Sequence, residues 1–339
     1  MKIVINFRIT YNSDQALRMF TGDFWEEMAL LKPNHEFIFI TANDKAPVRP
    51  AKNVHIQKLK MTGIKWFDKK KLNKVLANQQ ADRFINIAET GFSIRHFYPE
   101  KERKKNAVQP EQQVIFLSNA EAQPGIKKTP APNITVVKPA FGIVVNSLSW
   151  TEAESIKTQY AGGRSFFLFI GTISEQHQLV ELLKAFSLFK KWQQSNMQLV
   201  IAGYTTAYTQ VLEEKLLTYK YKADVAILKN AASTEIAKLL AACYAVLYPV
   251  TENIFPLSLL WAVQSNKAVI ASDTYSNRQI TEAAEWVDKN NTAGGFAKAM
   301  ILLYKDEKHQ QLLVQQTIES AKQFNRRQML TEVWQCAEK

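Results

Sequence analysis

Short apolar runs alternate with longer amphipathic stretches along most of this 339-residue chain, and this rhythm limits the fold more than any other feature. Parallel sheets covered by helices produce such a pattern, because their strands are buried and their helices are half buried. We therefore predict an α/β protein. The runs that read as strands are KIVINF, EFIFIT, NVHIQKL, DRFINIA, QVIFLSN and ITVVK, followed by SFFLFIG, MQLVIAG, VAILK, AVLYP and KAVIASD.

The chain is too long for one ordinary core and fits two domains of about 150 residues each. The segment SWTEAESIKTQYAGG separates the two series of runs, so we predict two Rossmann-like, doubly wound domains that meet near residues 140–165. The best-defined helix of the second domain lies in SEQHQLVELLKAFSLFKKW, with Ser174 as its predicted N-cap residue. Its predicted buried stripe consists of Leu179, Leu182, Leu183, Phe186 and Phe189.

Ligands bind beyond the carboxyl ends of the strands in sheets of this kind. A site is therefore expected in the loops that follow Gly171, Gly203, Pro249 and Asp273. Gly171 stands between a strand and a helix, where a glycine lets the chain turn sharply and the helix start points free N–H groups at an anion such as a pyrophosphate. The alternative is a glycine that only closes the fold.

Several common kinds of site are excluded by the sequence. Glycine is scarce, at 11 residues, and neither GxGxxG nor GxxxxGK[ST] occurs, which excludes the classical dinucleotide and P-loop sites. HExxH, GxSxG and close His/Asp/Glu clusters are also absent from the sequence. We predict neither a metal nor a cofactor. Cys243 and Cys336 have no disulfide or metal spacing, so we expect two buried thiols in a reducing compartment.

The formal net charge of +12 belongs mainly to the first half of the chain. Residues 1–150 contain 23 Lys and Arg against 13 Asp and Glu, and the remainder contains 20 against 18. The densest part, Lys52 to Lys74, has eight lysines and the single acid Asp68. It is a candidate contact for an anionic membrane surface or a glycan acceptor, and the alternative is an ordinary solvated face. Without a zinc spacing, an aromatic strand motif or a basic recognition helix, no nucleic-acid partner is expected.

No segment approaches the ~20 consecutive apolar residues that a membrane span requires. We expect a soluble, uncleaved, cytoplasmic protein, and peripheral attachment to the inner face of the membrane is a hypothesis that rests on the lysines.

The order of these segments resembles the retaining nucleotide-sugar glycosyltransferases of family four, also called group one, which have the GT-B fold. The resemblance covers nearly the whole chain. It implies an acceptor-side domain over 1–148 and a donor-side domain over 149–322, with a cleft between them. It also implies a closing helix over 323–339 that crosses back to the acceptor-side domain. The segments that carry it are KIVINFR, PNHEFIFIT, ITVVKPAFG, LSWTEAESIKTQY, FFLFIGTISEQHQLVELLKAFSLF, MQLVIAGY, STEIAKLLAACYAVLYPVTENIFPLSLLWAV, KAVIASD and FNRRQMLTEVWQC.

The family usually carries an Arg in the turn after the glycine and a Lys a few positions on, where the two cations neutralise the donor pyrophosphate. Counting from Gly171 places Thr172 and His177 at these positions. The resemblance therefore implies a donor site with a hydroxyl and an imidazole in place of two permanent charges. Ser174 and Gly203 are the other donor-site candidates near this strand end.

The family also has an E-x7-E element, whose first Glu lies near the donor sugar and whose second bridges the ribose hydroxyls. Matching Phe255 to the family's aromatic residue places Asn253 and Trp261 at these positions. Taking Glu252 as the first acid places the second on Leu260. Neither register puts a carboxylate at the ribose. Trp261 has two interpretations, a core residue or a platform for the nucleotide base.

On the acceptor side, RITYNSDQALRM replaces the family's early glycine-rich loop, and VIFLSN stands where a histidine often ends a mid-domain strand. Two residues elsewhere in this domain are candidates for the acceptor site. Glu89 is a candidate at a strand end, and His96 is a candidate polar contact with an ordinary surface histidine as its alternative. The predicted activity is slow or specialised transfer of a hexose from a nucleotide sugar to a glycan or lipid-linked acceptor, with retention and without a metal. The alternative is a non-catalytic binding protein or protein partner with the same fold.

Overall fold

The computed structural model describes residues 1–7, 15–42, 48–49, 51–60, 62, 65–88, 91–96, 112–117, 134–145, 147–252 and 255–338. The chain divides into two compact units. Unit 1 consists of Met1–Ser13, Leu17–Gly142 and Asn325–Lys339, and unit 2 consists of Asp14–Ala16 and Ile143–Phe324. Each unit contains one sheet.

The strands and helices are numbered along the chain. The strands are β1 (Lys2–Asn6), β2 (Glu36–Thr41), β3 (Val54–Lys58), β4 (Arg83–Ala88), β5 (Gly91–His96), β6 (Gln112–Phe116), β7 (Ile134–Val136), β8 (Phe166–Thr172), β9 (Gln198–Tyr204), β10 (Val225–Lys229), β11 (Ala245–Tyr248), β12 (Val269–Ser272) and β13 (Glu285–Val287). The helices are α1 (Gln15–Leu31), α2 (Lys65–Asn78), α3 (Trp150–Ala161), α4 (Leu179–Gln193), α5 (Tyr208–Leu217), α6 (Ser233–Ala242), α7 (Leu257–Gln264), α8 (Tyr275–Arg278), α9 (Thr292–Lys305), α10 (Glu307–Ala321) and α11 (Arg326–Glu338).

The sheet of unit 1 has the strand order β3-β2-β1-β4-β5-β6-β7. Its strands are parallel except β5, which runs antiparallel to both β4 and β6. The sequence analysis did not predict β5. Only two residues separate it from β4, too few for the crossover connection that parallel neighbours require.

Helix α11 belongs to unit 1, although it lies at the end of the chain. The Trp334 ring contacts the rings of His35 and Phe37. Arg326 donates to the Glu27 carboxylate at 2.8 Å and to the Ala140 carbonyl oxygen at 2.6 Å. These contacts hold the last helix against the first helix and the sheet of the same unit.

The sheet of unit 2 is wholly parallel in the described residues and has the order β10-β9-β8-β11-β12-β13. Five of its strands, β8 to β12, are the predicted ones, and they are apolar as expected for strands of a helix-covered sheet. The short edge strand β13, with the sequence EWV, was not predicted. The predicted two-domain α/β architecture is confirmed. The predicted buried stripe of α4 is also confirmed, since all five of its residues are buried.

The start of α4 differs from the prediction. The helix begins at Leu179, and a separate 3-10 turn, Glu175–His177, precedes it. Ser174 makes no capping hydrogen bond, so its predicted N-cap role is wrong. The N-cap position is held by Gln178, which has a left-handed backbone with φ of 51°. The physical reason is that residues 174–178 form a separate turn, in which the backbone N–H groups of His177 and Gln178 donate to the carbonyl oxygens of Ser174 and Glu175, and the helical bonds begin with Leu182 N–H to Gln178 O. The His177 ring also contacts the Thr172 carbonyl oxygen.

Both cysteines are free and buried, each with 5% of its surface exposed. Burial raises the pKa of the Cys243 thiol to about 12, so this thiol is protonated at pH 8 and a poor nucleophile. We expect a thiol-reactive dye at pH 8 to leave the native protein unlabelled and to label both cysteines in guanidinium chloride. Rapid stoichiometric labelling without denaturant would contradict this placement of the cysteines.

Within the described ranges, no helix is both long enough and apolar enough to cross a membrane. The same part of the chain contains no group of three His, Cys, Asp or Glu side chains that could hold a metal ion.

Candidate functional site

The topology of unit 2 places one switch point in its sheet, between β8 and β11. From β8 the chain proceeds to β9 and β10 on one side, and it then crosses over to β11 on the other side. The loops that leave the carboxyl ends of β8 and β11 therefore diverge and leave a crevice between them. Such a crevice is the usual ligand site of open α/β sheets.

The loop after β8 is organised around His177, which is 6% exposed. Its Nδ1 lies 2.5 Å from the Thr172 carbonyl oxygen. A carbonyl oxygen only accepts hydrogen bonds, so Nδ1 carries the hydrogen that is donated to it. Nε2 lies 4.0 Å from Oε2 of Glu252, which belongs to the loop after β11. The structure thus brings together two candidates that are 75 residues apart.

Gln178 connects three segments around this crevice. Its Nε2 donates to Thr251 Oγ1 at 3.2 Å, and its Oε1 accepts from Thr292 Oγ1 at 2.6 Å. Thr251 lies in the loop after β11, and Thr292 is the first residue of α9. Gln178 and Thr292 were not among the predicted site residues, because nothing in the neighbouring sequence distinguishes a bridging glutamine from a solvated one.

Gly171 and Gly203 lie side by side at the ends of β8 and β9. Gly171 has φ of 150°, which favours glycine. A Cβ on Gly203 would lie 2.4 Å from the Gly171 carbonyl oxygen and 2.7 Å from Ile173 Cγ1. Gly203 is therefore required for the close approach of the two strands, and this packing positions the loop that carries Thr172 and His177.

The loop after β11 is fixed by Asn277, a residue that the sequence analysis did not select. Asn277 is buried in α8, and its Nδ2 donates to the Val250 carbonyl oxygen at 3.1 Å and to the Ser272 carbonyl oxygen at 2.8 Å. It ties the ends of β11 and β12 together just before Glu252. Phe255, a few residues further on, is buried. Asn253 lies outside the described residues.

Trp261 is part of the core of unit 2. It is 1% exposed, and its Nε1 donates to the Ile143 carbonyl oxygen at 2.8 Å. Every residue of α7 from Leu257 to Val263 is buried, as expected for a helix that is apolar on all sides. This favours the core interpretation of Trp261 over the base platform, because no face of the ring is accessible. Leu260, the position in the other register, is fully buried as well.

The two acceptor-side candidates cannot be placed in a site. Glu89 lies outside the described residues. His96 is the last residue of β5, where its backbone is opposite Arg83, and the position of its side chain is also outside what the structure describes.

The charge of the crevice is unusual for a site expected to bind an anion. The sequences of the two loops, 172–178 and 249–256, contain no Lys or Arg, whereas Glu175 and Glu252 contribute carboxylates. Tyr208, at the start of α5, lies near Glu175. Burial, and then the charge of Glu175, raises the pKa of the Tyr208 phenol, so it stays a neutral hydroxyl donor. The crevice offers hydroxyl, amide and imidazole groups to an oxygen-rich ligand.

The chain was compared with protein families and solved structures. The profile of a family described as glycosyl transferases group 1 matches residues 151–321. HepE of Anabaena, in complex with UDP and glucose, has a TM-score of 0.75 and 13% identity, with 100% of this chain and 99% of HepE covered. WaaG, a glycosyltransferase involved in lipopolysaccharide biosynthesis, has a TM-score of 0.74 and 12% identity, with 98% of each chain covered. Sucrose-phosphate synthase from Thermosynechococcus elongatus has a TM-score of 0.72 and 13% identity, with 100% of this chain and 98% of that chain covered.

A search of curated proteins by sequence found no match. At identities this low, the structural likeness shows the fold alone, and the predicted GT-B fold is confirmed by it. The family is shown by the profile, because the matched residues make up half of the chain and contain both loops of the crevice. The chain therefore belongs to the group 1 glycosyl transferases.

Proposed function

We propose that the protein is a hexosyltransferase that binds a nucleotide sugar at the β8/β11 crevice and transfers the sugar, with retention and without a metal, to a glycan or lipid-linked acceptor. The observation that carries this proposal is the pairing of the β8 loop with the β11 loop across the switch point, through His177 with Glu252 and Gln178 with Thr251. Solved relatives of the same fold include complexes of HepE with UDP and with UDP-glucose.

In this proposal the leaving diphosphate is stabilised by the N–H groups at the start of α4 and by His177 when its ring is protonated. A Lys or Arg brought in from elsewhere has to supply further positive charge, since the two loops contain none. Loss of one cation that meets developing charge costs a factor of about 10² or more in rate. We therefore expect slow turnover.

The same observations support one alternative, a non-catalytic protein that keeps the fold as a sugar sensor or as the partner of an active enzyme. Thr172 stands where the family has an Arg, and Trp261 stands where it has a Glu, so neither residue provides the expected charge. Trp261 is instead buried in the core of unit 2. A protein can keep its fold after it has lost its catalytic residues, because packing and catalysis depend on different residues.

The proposed acceptor lies at an anionic surface, and the lysines between Lys52 and Lys74 face it. This corresponds to a cytoplasmic protein attached peripherally to the inner face of the membrane.

Calorimetric titration with UDP, GDP and their sugars tests the donor site. We expect one nucleotide to bind and His177→Ala to weaken it by about 10- to 100-fold, as loss of a charge-assisted hydrogen bond does. His309→Ala is the matched control, because His309 also pairs with a carboxylate of unit 2, Glu285 at 2.5 Å, but on α10 and β13. It should bind like the wild type.

The outcomes separate the two functions. No heat with any nucleotide at millimolar concentration would exclude the transferase. Binding without transfer or hydrolysis of the sugar, measured by product analysis, would favour the sensor. An equal loss in both histidine variants would show that His177 does not contact the ligand.

A further inference from the structure

The basic segment of unit 1 carries exposed lysines on two of its elements and in the residues beside them. It begins before β3, which is the edge strand of the sheet, and continues through α2. Helix α2 packs through Leu72 and Leu76 against Val4, Ile38 and Phe84. These apolar residues mark the inner side of the helix, whereas its lysines at positions 69, 70, 71 and 74 are exposed. We call the exposed lysines of this segment, together with Trp66, the lysine surface; these lysines are Lys52, Lys58, Lys60, Lys69, Lys70, Lys71 and Lys74.

The single acid of the segment does not lie on this surface. Asp68 is buried, and its Oδ1 accepts from the backbone N–H of Thr62 at 2.8 Å and from the Thr62 hydroxyl at 2.9 Å. Among the described residues, Lys69, Lys71 and Lys74 form no ion pair. The outer side of α2 therefore presents positive charge without a carboxylate beside it.

An exposed indole lies among these lysines. Trp66 is in the first turn of α2 with 63% of its surface exposed. The Lys70 ammonium, one helical turn later, is 5.2 Å from the centroid of its ring. An indole flanked by cations is suited to the boundary between headgroups and acyl chains, where one part of the ring is apolar and another is hydrogen bonded.

The type of cation distinguishes between anionic partners. The segment from Lys52 to Lys74 contains eight lysines and no arginine. Arginine is preferred where phosphates must be held in a fixed bidentate geometry, as in nucleic acids, whereas lysine acts as a hydrated point charge. Lipid headgroups move in the plane of the membrane and offer no fixed geometry, so hydrated point charges such as lysines are sufficient to bind them. Each lysine near such a surface increases partitioning roughly fivefold.

We propose that the lysine surface docks unit 1 on anionic phospholipid headgroups, with Trp66 inserted at the interface. This names the membrane partner of the proposed transfer and in that sense rests on the proposed function. The lysine surface lies on unit 1 alone, and docking can be measured without a nucleotide.

The test is co-flotation of the full chain with vesicles of phosphatidylglycerol and phosphatidylcholine, at low and at high salt. We expect binding at low salt, little binding at high salt, and none to pure phosphatidylcholine. The triple variant Lys69→Glu, Lys71→Glu, Lys74→Glu should bind at least about 100-fold more weakly, since three such lysines each contribute roughly fivefold. The control triple Lys191→Glu, Lys238→Glu, Lys298→Glu changes the net charge equally at exposed lysines of unit 2, and it should bind within a few-fold of the wild type.

Three results would overturn the proposal. One is the absence of flotation for the wild type at low salt. Another is an equal loss in both triple variants, which would indicate a general effect of net charge. The third is binding to RNA in preference to the vesicles. Circular dichroism verifies that the variants are folded, and brominated lipids provide a second readout, because they should quench wild-type fluorescence more than that of Trp66→Phe. Nucleotide titration of the triple variants should be unchanged, so failure of docking and failure of donor binding are distinguishable.

Discussion

Replacing Gly203 by alanine is expected to lower the free energy of unfolding by about 3 kcal/mol or more, at the upper end of the cost of overpacking a core. The new Cβ would meet the Gly171 carbonyl oxygen at 2.4 Å and Ile173 Cγ1 at 2.7 Å. The first of these atoms is backbone in the neighbouring strand, so no rotamer change relieves the contact, and β8 and β9 have to separate.

The same substitution should also remove nucleotide binding. Ile173 donates its N–H to the Tyr204 carbonyl oxygen at 2.9 Å and thereby sets the loop that carries His177. A shift of β9 alters that loop directly. Urea unfolding followed by circular dichroism, combined with calorimetry at a temperature where the variant is folded, measures both effects.

Gly162→Ala is the matched control for this prediction. Gly162 ends α3 with φ of +56°, and a Cβ there would meet nothing within 4 Å. Its substitution should cost only the backbone strain of about 1–2 kcal/mol and should leave nucleotide binding intact. A Gly203→Ala variant as stable as Gly162→Ala would mean that β8 and β9 are less closely packed than described.

Trp261→Ala should destabilise the protein by about 3–5 kcal/mol, the cost of removing a large aromatic side chain from a core. The indole is buried, and the variant also leaves the Ile143 carbonyl oxygen without its donor. Trp261→Phe keeps most of the apolar volume and should cost about 1 kcal/mol, the net worth of one hydrogen bond. Urea unfolding of the three proteins measures the series.

This series also distinguishes the two interpretations of Trp261. If the indole stacked on a nucleotide base, Trp261→Ala would weaken binding at little cost in stability, which is the opposite of the expected result. Burial at position 261 also means that the second Glu of the family's E-x7-E element cannot be restored by a single substitution. Trp261→Glu would bury a carboxylate in an apolar helix, which is strongly unfavourable without a partner, so we expect that variant to unfold.

Most local structure was predictable because its cause is local. The β8 strand is apolar throughout, and the α4 stripe from Leu179 to Phe189 has helical spacing, so both were assigned from neighbouring residues alone. The start of α4 was not, because a separate 3-10 turn, Glu175–His177, with its own backbone hydrogen bonds precedes the helix. Strands β5 and β13 were also missed, since GFSIRH has neither a continuous apolar run nor a clear alternation and EWV is only three residues long.

The site was predictable only in part. The order of segments that the chain shares with the family predicted a site in the loops after β8 and β11, with Thr172, His177, Glu252 and Phe255 as candidate residues. It did not identify Gln178 or Asn277, which hold the two loops in place. Their partners are 73 and 27 residues away, and an isolated polar residue shows no sign in the sequence of such a long-range bond.

The sequence by itself determined the α/β class, most strands of the two series, the lysine-rich first half and the lack of cations in the loops after β8 and β11, because these follow from residue type and spacing. Only the tertiary structure decided which residues meet. It placed His177 beside Glu252, set Gly203 against Gly171 and buried Trp261 in the core. The physical reason is that a contact between distant residues depends on strand order and register, which the packing of the whole unit sets.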